Sequence, residues 1–424
     1  MFTTIRNSVV STTVVLFLGM SSSLLAGQDD PLSLQEAEKT ALLDDPMLAS
    51  SNALAEALDE AAIADGQLPD PKMKVSLFNY PTDSFEFEQE PITQFRFGVA
   101  QHVPRGDTLE YKSKRTQSMA TGARANSADA NLKIVRDVRK SWLERYYWIQ
   151  AERIVSTNRR LFNQLVDITQ SQYAAGRRNQ QDVLRAELEL GLLDDRITHI
   201  KQQQQAAEAN LGKWIGGDAL RPLPVELPVL AAISSLSELE AKLSSHPNIQ
   251  SSMANVEANQ NSVRIAREAY KPAMTFGVDY GIRDGENAAG VDRPDLVAAT
   301  LQFDVPLFTS KRQDKRLSAA QKRAAAALSQ RDDKYRDMQR MLNDNYAKWT
   351  RLGERVQRYD DALLSQARET TKATYNAYQS DSTDFATLMR SNITELNTRL
   401  QALRLRVDRA KVQSQLLYLS GEQS

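Results

Sequence analysis

Two long stretches of the chain, residues 105–221 and 307–424, contain no proline. A proline inside a helix removes a backbone hydrogen bond and clashes with the preceding turn, at a cost of about 3 kcal/mol. Both stretches are rich in Ala, Leu, Gln, Glu, Lys and Arg, which are residues that favour helices. Each stretch therefore predicts a long helical hairpin, and the 14 prolines mark what lies between the hairpins.

The prolines also reveal an internal repeat. Three pairs have nearly the same separation: Pro46 and Pro247 (201 residues), Pro71 and Pro272 (201), and Pro104 and Pro306 (202). Tyr173 and Asp182 likewise match Tyr375 and Asp384 at a separation of 202. A spacing that is kept over such a distance predicts two similar halves. Each half is expected to run helix, hairpin of strands, long helix, turn, helix.

The first 27 residues have the pattern of a secretory signal peptide. Arg6 precedes an apolar run over residues 9–20, and small residues follow up to Ala26 and Gly27. The run is shorter than the ~20 residues that a membrane-spanning helix needs. We therefore expect an exported protein, with cleavage near residue 27.

These observations divide the rest of the chain into two repeats. The first repeat covers residues 28–215, with strands at about 72–80 and 93–104 and a helical hairpin at 105–215. A linker follows at 216–235. The second repeat covers residues 236–424, with strands at about 273–282 and 296–306 and a helical hairpin at 307–420. The linker contains three prolines and is expected to form a small structure between the repeats.

The four strands alternate apolar residues with polar or small ones. The polar positions include Gln94, Arg96, Asp279 and Asp304. A half-buried sheet of a soluble protein would show the same alternation. However, each strand is near the ~9–11 residues that a tilted strand needs to cross an outer membrane. Four strands cannot close a membrane barrel, which needs about eight, so the barrel would be shared between chains.

Apolar residues in the helical stretches recur at spacings of three and four. Examples are Val135, Val138, Trp142, Tyr146 and Ile149, and Leu190, Leu193, Ile197 and Ile200. This spacing is typical of coiled coils. At ~1.5 Å per residue, an unbroken helix over residues 107–174 would reach about 100 Å, which is long enough to cross a periplasm.

Composition excludes several other functions. Lys and Arg (53) nearly balance Asp and Glu (54), so no basic surface for nucleic acid is expected. The chain has no cysteine, and its three histidines, His102, His199 and His246, are scattered. Neither a phosphate-binding loop, a nucleophile elbow nor a metal-ligand spacing occurs. We therefore expect no enzyme activity, no cofactor and no bound metal.

Several motifs resemble those of the TolC-type outer membrane efflux proteins. They are the duplicated Asp45-Pro46 and His246-Pro247, the strand starts at 68–71 and 270–272, the strand ends at 103–104 and 305–308, and the Tyr-Ala-Ala-Gly at 173–176 followed by Asp-Val-Leu at 182–184. Residues 68–71, 92–94 and 101–104 are most similar to the heavy-metal-efflux branch.

The resemblance implies a mainly α-helical fold with a membrane β-barrel. It implies a homotrimer in the outer membrane lipid, in which three times four strands form a 12-stranded barrel and the helices form a periplasmic tunnel. It further implies docking onto a periplasmic adaptor and an RND-type inner-membrane pump. The protein would then be a passive conduit for metal cations or small toxic compounds.

The resemblance also implies roles for residues at the helical tips. Asp182 and Tyr375 would lock the periplasmic gate, and Asp384 would line it. The tips that dock the adaptor would include Tyr173, Gly176, Tyr378 and Ser380. Three residues depart from the family pattern: Ser380 stands at the place of a locking arginine, Tyr378 at that of the tip glycine and Thr387 at that of a second gate aspartate. The alternative is that these polar residues only cap or solvate helix ends.

Two other functions stay open from the sequence. A type I protein secretion conduit would have the same architecture and would differ in its partner pump. A soluble periplasmic coiled-coil adaptor would have no need for four strands of membrane length.

Overall fold

The computed structural model describes residues 30–43, 45–177 and 179–421, so the predicted signal peptide lies outside the described residues. The first half contains α1 (Leu34–Leu43), α2 (Pro46–Asp65), β1 (Lys72–Phe78), β2 (Gln94–Val103), α3 (Thr108–Ala174) and α4 (Gln180–Ile215). The second half contains α5 (Leu236–Lys242), α6 (Pro247–Glu268), β3 (Ala273–Ile282), β4 (Leu296–Asp304), α7 (Gln313–Arg358), α8 (Leu364–Gln379) and α9 (Phe385–Ser420). This order confirms the mainly helical, duplicated fold with four strands.

The two long hairpins have the same length. A single π-helical turn at Tyr359–Leu363 joins α7 to α8, and these three segments contain 46, 5 and 16 residues, which together equal the 67 residues of α3. The return helices α4 and α9 contain 36 residues each. Each return helix is followed by a glycine with positive φ, Gly216 or Gly421.

The apolar seams predicted from the helical spacing are buried. Val138, Trp142 and Tyr146 of α3 pack in one cluster with residues of α1, α4 and α9. A second cluster nearer the tips contains Leu193 and Ile200 of α4. The Trp142 indole is fully enclosed, donates to the Leu32 carbonyl oxygen at 3.1 Å and stacks on Tyr146. The helices therefore pack as the coiled coils that their sequence predicts.

The four strands form one antiparallel sheet in the order β1-β2-β3-β4. The register aligns the apolar positions in rows, such as Met73, Val99, Val278 and Ala299. It aligns the other positions in rows such as Lys74, Gly98, Asp279 and Ala298. One face of the sheet is therefore apolar, and the opposite face carries the polar and small residues.

Glycines make room for polar side chains on the polar face. A methyl group at Gly98 would overlap the carboxylate of Asp279, and one at Gly281 would overlap the side-chain amide of Gln94. Gln94 is 5% exposed and accepts from Arg96 Nε at 2.9 Å. The polar face is thus closely packed at these strand positions.

The segment between the repeats is bonded to the first repeat at the level of α1. After a short 3₁₀-helix at Gly216–Leu220, the chain is irregular up to α5. The Leu32 amide donates to the Pro222 carbonyl oxygen at 2.8 Å, and the buried Arg145 donates to that of Arg221 at 2.7 Å. Among the described residues, no helix is both long and apolar enough to cross a lipid bilayer.

Candidate functional site

The first hairpin tip reverses the chain after α3. The Arg177 amide donates to the Gln172 carbonyl oxygen at 2.9 Å, and the Gly176 amide donates to that of Tyr173 at 2.9 Å. This pair of bonds is a Schellman motif, which needs a residue with left-handed backbone at the position of Gly176. Gly176 has φ +71° and has no atom near the place of a Cβ.

The second tip has the same bonds, but they lie three residues later than the repeat separation of 202 predicts. The Ser382 amide donates to the Ala377 carbonyl oxygen at 2.8 Å, and the Asp381 amide donates to that of Tyr378 at 3.2 Å. Asp381 has φ +55° and so occupies the position of Gly176. Equivalent tip residues are therefore 205 positions apart, and the predicted separation of 202 is wrong for the tips.

An insertion explains the difference. Three residues separate Pro104 from the start of α3 at Thr108, whereas six separate Pro306 from the start of α7 at Gln313. The strands keep the shorter separation, and both hairpins take the longer one. Tyr378 is thus the equivalent of Tyr173 and not of the tip glycine.

The two tyrosines nevertheless have different surroundings. Tyr173 is 47% exposed, whereas Tyr378 is 4% exposed and packs against Phe385. The Tyr378 hydroxyl donates to Gln172 Oε1 at 3.1 Å, which joins α8 to α3. Tyr378 therefore connects the two tips of one chain, and its predicted contact with an adaptor stays a prediction. Sequence reasoning missed Gln172, because a glutamine near a helix end has no distinctive pattern.

Ser380 and Asp384 act locally on helix ends. The Ser380 hydroxyl donates to the Ala377 carbonyl oxygen at 3.1 Å. Asp384 is the N-cap of α9, and its Oδ1 accepts from the Thr387 amide at 2.7 Å. Hydrogen bonds from Thr387 lower the pKa of Asp384, and Arg390 and Arg185 lower it further. Asp384 therefore stays charged at neutral pH, and its predicted place in the gate stays a prediction.

The predicted lock residues, Asp182 and Tyr375, are not bonded to each other within the described part of one chain. Asp182 lies in the first turn of α4, where the helix dipole favours a carboxylate. Tyr375 lies one turn before Tyr378 and is 39% exposed. Within the described part of a single chain, no hydrogen bond joins Asp182 to Tyr375. A bond between neighbouring copies stays a prediction.

Polar contacts between the hairpins were not predicted either. Arg196 of α4 donates to Asn397 of α9 at 2.9 Å, and Arg404 of α9 donates to Glu144 of α3 at 3.1 Å. These bonds join side chains far apart in sequence, which no local pattern marks. No group of three or more His, Asp or Glu suited to a metal ion occurs in the described ranges.

Comparison with known proteins relates this geometry to a family. Residues 239–422 match the model of the outer membrane efflux protein family. None of the curated proteins matches significantly. The family match confirms the resemblance found in the sequence and agrees with the predicted outer-membrane location.

Solved structures share the fold over nearly the whole chain. The outer membrane protein VceC from Vibrio cholerae is 18% identical, with a TM-score of 0.76 and coverage of 92% of this chain and 96% of that chain. The outer-membrane channel OprN is 14% identical, with a TM-score of 0.76 and coverages of 92% and 89%. CusC is 16% identical, with a TM-score of 0.75 and coverages of 95% and 96%.

Proposed function

We propose that this protein is the channel of a tripartite efflux system, because its second half matches the model of the outer membrane efflux protein family and nearly the whole chain has the fold of solved outer-membrane channels. In this function it is a passive conduit. Substrate enters at the helical tips from an inner-membrane pump and a periplasmic adaptor, and leaves through the sheet end to the exterior.

The sheet carries this proposal. Its apolar face is exposed, with Phe97, Val99, Phe276 and Val278 about half accessible, and its outer strands β1 and β4 each have one unpaired edge. An exposed apolar face with open edges is a liability for a protein in water. Both the apolar face and the open edges are explained if three copies join edge to edge in lipid. The apolar face then contacts lipid, and the closed sheet pairs all its backbone groups.

The helical hairpins suggest how the copies meet. Leu184, Leu188 and Leu192 form a stripe on α4, and each is more than half exposed. At the separation of 205, Leu184 corresponds to Met389 of α9, which is buried between the two hairpins of one chain. A second copy that places its second hairpin against α4 would cover the stripe in the same way.

This contact can be tested in the full-length protein. Leu188→Glu would place a charge in the interface, and we expect loss of the heat-sensitive trimer on gels and after amine cross-linking of membranes. Gln202→Glu, on an exposed part of the same helix, is the matched control and should leave the trimer intact. Equal trimer yields for both variants would contradict a contact at this stripe.

The substrate class follows from the branch that the sequence most resembles. We propose small substrates, metal cations or small toxic compounds, supplied by a pump of RND type. In cells that lack the native channel, expression should restore resistance to such compounds only when the adaptor and pump are present. Restored secretion of a protein without this resistance would indicate a type I secretion conduit instead.

Fractionation tests the proposed location independently. The channel should be recovered in the outer membrane as a heat-sensitive trimer. Recovery in the soluble periplasmic fraction would indicate a coiled-coil adaptor and would overturn the proposed function.

A further inference from the structure

Helices α2 and α6, which precede β1 and β3, begin with equivalent but chemically different caps. Asp45 Oδ1 accepts from the Met47 amide at 2.9 Å and from the Leu48 amide at 3.1 Å, and Pro46 is the first residue of α2. In the second repeat, His246 Nδ1 accepts from the Asn248 amide at 3.2 Å, and Pro247 is the first residue of α6. A carboxylate in the first repeat is thus replaced by an imidazole in the second.

The bonds of His246 require a neutral ring. Its Nε2 lies 2.9 Å from the carbonyl oxygen of Tyr418, which can only accept, so Nε2 carries a proton. Its Nδ1 faces an N–H donor and so carries none. Protonation of Nδ1 would replace this acceptor with a donor, and the Asn248 amide would lose its partner.

The surroundings of His246 also oppose its charged form. The ring is 1% exposed and packs edge-on against the Tyr418 ring, with centroids 5.0 Å apart. Burial lowers the pKa of His246, and Lys133 lowers it further, whereas the Tyr418 carbonyl and Asp129 raise it. Burial outweighs the two opposing effects, so the neutral ring is favoured.

One buried carboxylate connects this cap to α3 and α9. Asp129 of α3 accepts from Tyr418 Oη at 2.9 Å, from Asn248 Nδ2 at 2.8 Å and from Lys133 Nζ at 2.7 Å. Burial alone would raise the pKa of Asp129, but these hydrogen bonds keep it below its usual value. The Arg136 guanidinium lies over the outer side of the Tyr418 ring, 4.7 Å from its centroid. Asp129 therefore keeps its charge while His246 titrates.

We propose that His246 is an acid-sensitive cap that releases the start of α6 when its imidazole is protonated. The equivalent start of α2 does not respond, because a carboxyl group retains an acceptor oxygen whether or not it is protonated. The N-terminal end of α6 lies between α3 and α9, and the C-terminal end of the same helix is followed by β3. Acid would thus release the first turn of α6 in the second repeat and leave the first turn of α2 in the first repeat capped.

The direction of the pH dependence follows from the lowered pKa. The unfolded chain binds a proton at the ordinary imidazole pKa of about 6.5, more readily than the folded protein does. The stabilising effect of the cap is therefore complete above this pH, and it is lost as the pH falls through the lower pKa of the folded state.

Hydrogen–deuterium exchange of the full-length protein in membranes provides the test. Protection factors, corrected for intrinsic exchange, are compared in steps from pH 7.5 to 4.5 for peptides over residues 247–254 and 46–53. We expect protection of 247–254 to fall about fivefold in acid, the effect of losing one cap, and protection of 46–53 to be unchanged. Equal changes in both peptides, or none in 247–254, would overturn the proposal.

A pair of variants isolates the imidazole. His246→Asn keeps a capping acceptor that does not titrate, so the acid effect on residues 247–254 should disappear. His199→Asn, which changes the exposed histidine of α4, should retain the full effect. A persistent acid effect in His246→Asn would show that another group is responsible. If this variant does not fold, the two peptides of the parent protein decide the question.

Discussion

Gly176 and Asp381 occupy the same place in the two helical tips, where each is the single residue with left-handed backbone in a Schellman motif. Glycine adopts this conformation without strain, whereas a residue with a Cβ does so at a cost of about 1–2 kcal/mol. The second tip is therefore the more strained of two otherwise equivalent turns. The predicted docking residue Gly176 lies in the relaxed one.

We first predict opposite effects of substitutions at these two positions. Asp381→Gly should remove about 1 kcal/mol of backbone strain from the second tip, and Gly176→Ala should add a similar amount to the first, because glycine adopts the left-handed conformation without strain. Limited proteolysis of the trimer at the two tips measures both effects. Cleavage rates that change in the same direction for both variants would contradict the assignment.

Gly176→Pro extends this prediction to function. Proline fixes φ near −65° and has no amide to donate to Tyr173, so the reversal at residues 175–177 cannot form. We expect loss of efflux with normal trimer levels, because the tip lies far from the strands. Normal efflux with normal trimer would exclude this tip as a docking site.

A second prediction compares two tyrosines one helical turn apart. Tyr378→Phe removes the bond to Gln172 inside one chain, and Tyr375→Phe removes the proposed bond to Asp182 of a neighbouring copy. Loss of the bond between copies costs about 1 kcal/mol and shifts a two-state gate about fivefold. Conductance in planar bilayers should rise in Tyr375→Phe and in Asp182→Ala if the lock between copies exists.

Tyr378→Phe is the control for this lock. It should lower the thermal stability of the tips, since a buried hydrogen bond within the chain is lost. A conductance increase in Tyr378→Phe alone would place the restraint within the chain rather than between copies.

The hairpins and the sheet could be predicted because each has a local signature. Proline-free stretches, apolar spacings of three and four, and strict alternation all depend on neighbouring residues. The tip register could not be predicted in this way. Matching Tyr173 to Tyr375 relied on residue identity across the insertion after Pro306, and sequence alone does not locate such an insertion.

Other features of the site depend on contacts between distant residues. The burial of Tyr378 against Phe385 and Gln172 follows from how the hairpins pack, and α8 itself has no signal for it. The π-helical turn at Tyr359–Leu363 shifts the phase of one long helix, and no residue type specifies such a turn.

A third prediction concerns the apolar face of the sheet. Phe97→Arg or Phe276→Arg should impair assembly by about 2–4 kcal/mol per site if this face contacts lipid near the bilayer centre. The measurement is the yield of heat-sensitive trimer in outer membranes. Yields equal to the parent for both variants would contradict a lipid-facing sheet.

The polar face supplies the control, and the structure determines which residue is suitable. Gln302→Arg changes an exposed side chain of β4 and should be tolerated. Gln94 also lies at a polar position of the strands, but it is buried over Gly281 and bonded to Arg96. Gln94→Arg should therefore reduce assembly because of local crowding, and it does not report on lipid contact.

The last prediction separates the charge of Asp384 from its capping role. Asparagine is as good an N-cap as aspartate, so Asp384→Asn keeps the bond from the Thr387 amide and removes only the charge. Asp384→Ala removes both. If three copies of this carboxylate ring the constriction, both variants should weaken the cation selectivity of single channels, because clustered carboxylates attract cations. Only Asp384→Ala should also increase proteolysis at the start of α9.

Arg185 and Arg390 lie near enough to Asp384 to lower the pKa of its carboxyl group, and their positive charges offset its negative charge in the pore. Arg390→Gln should therefore raise cation selectivity both in the parent and in the Asp384→Asn background, because the potentials of separate charges add. Reversal potentials across a salt gradient measure each case, and identical values in all five proteins would leave Asp384 as a helix cap alone.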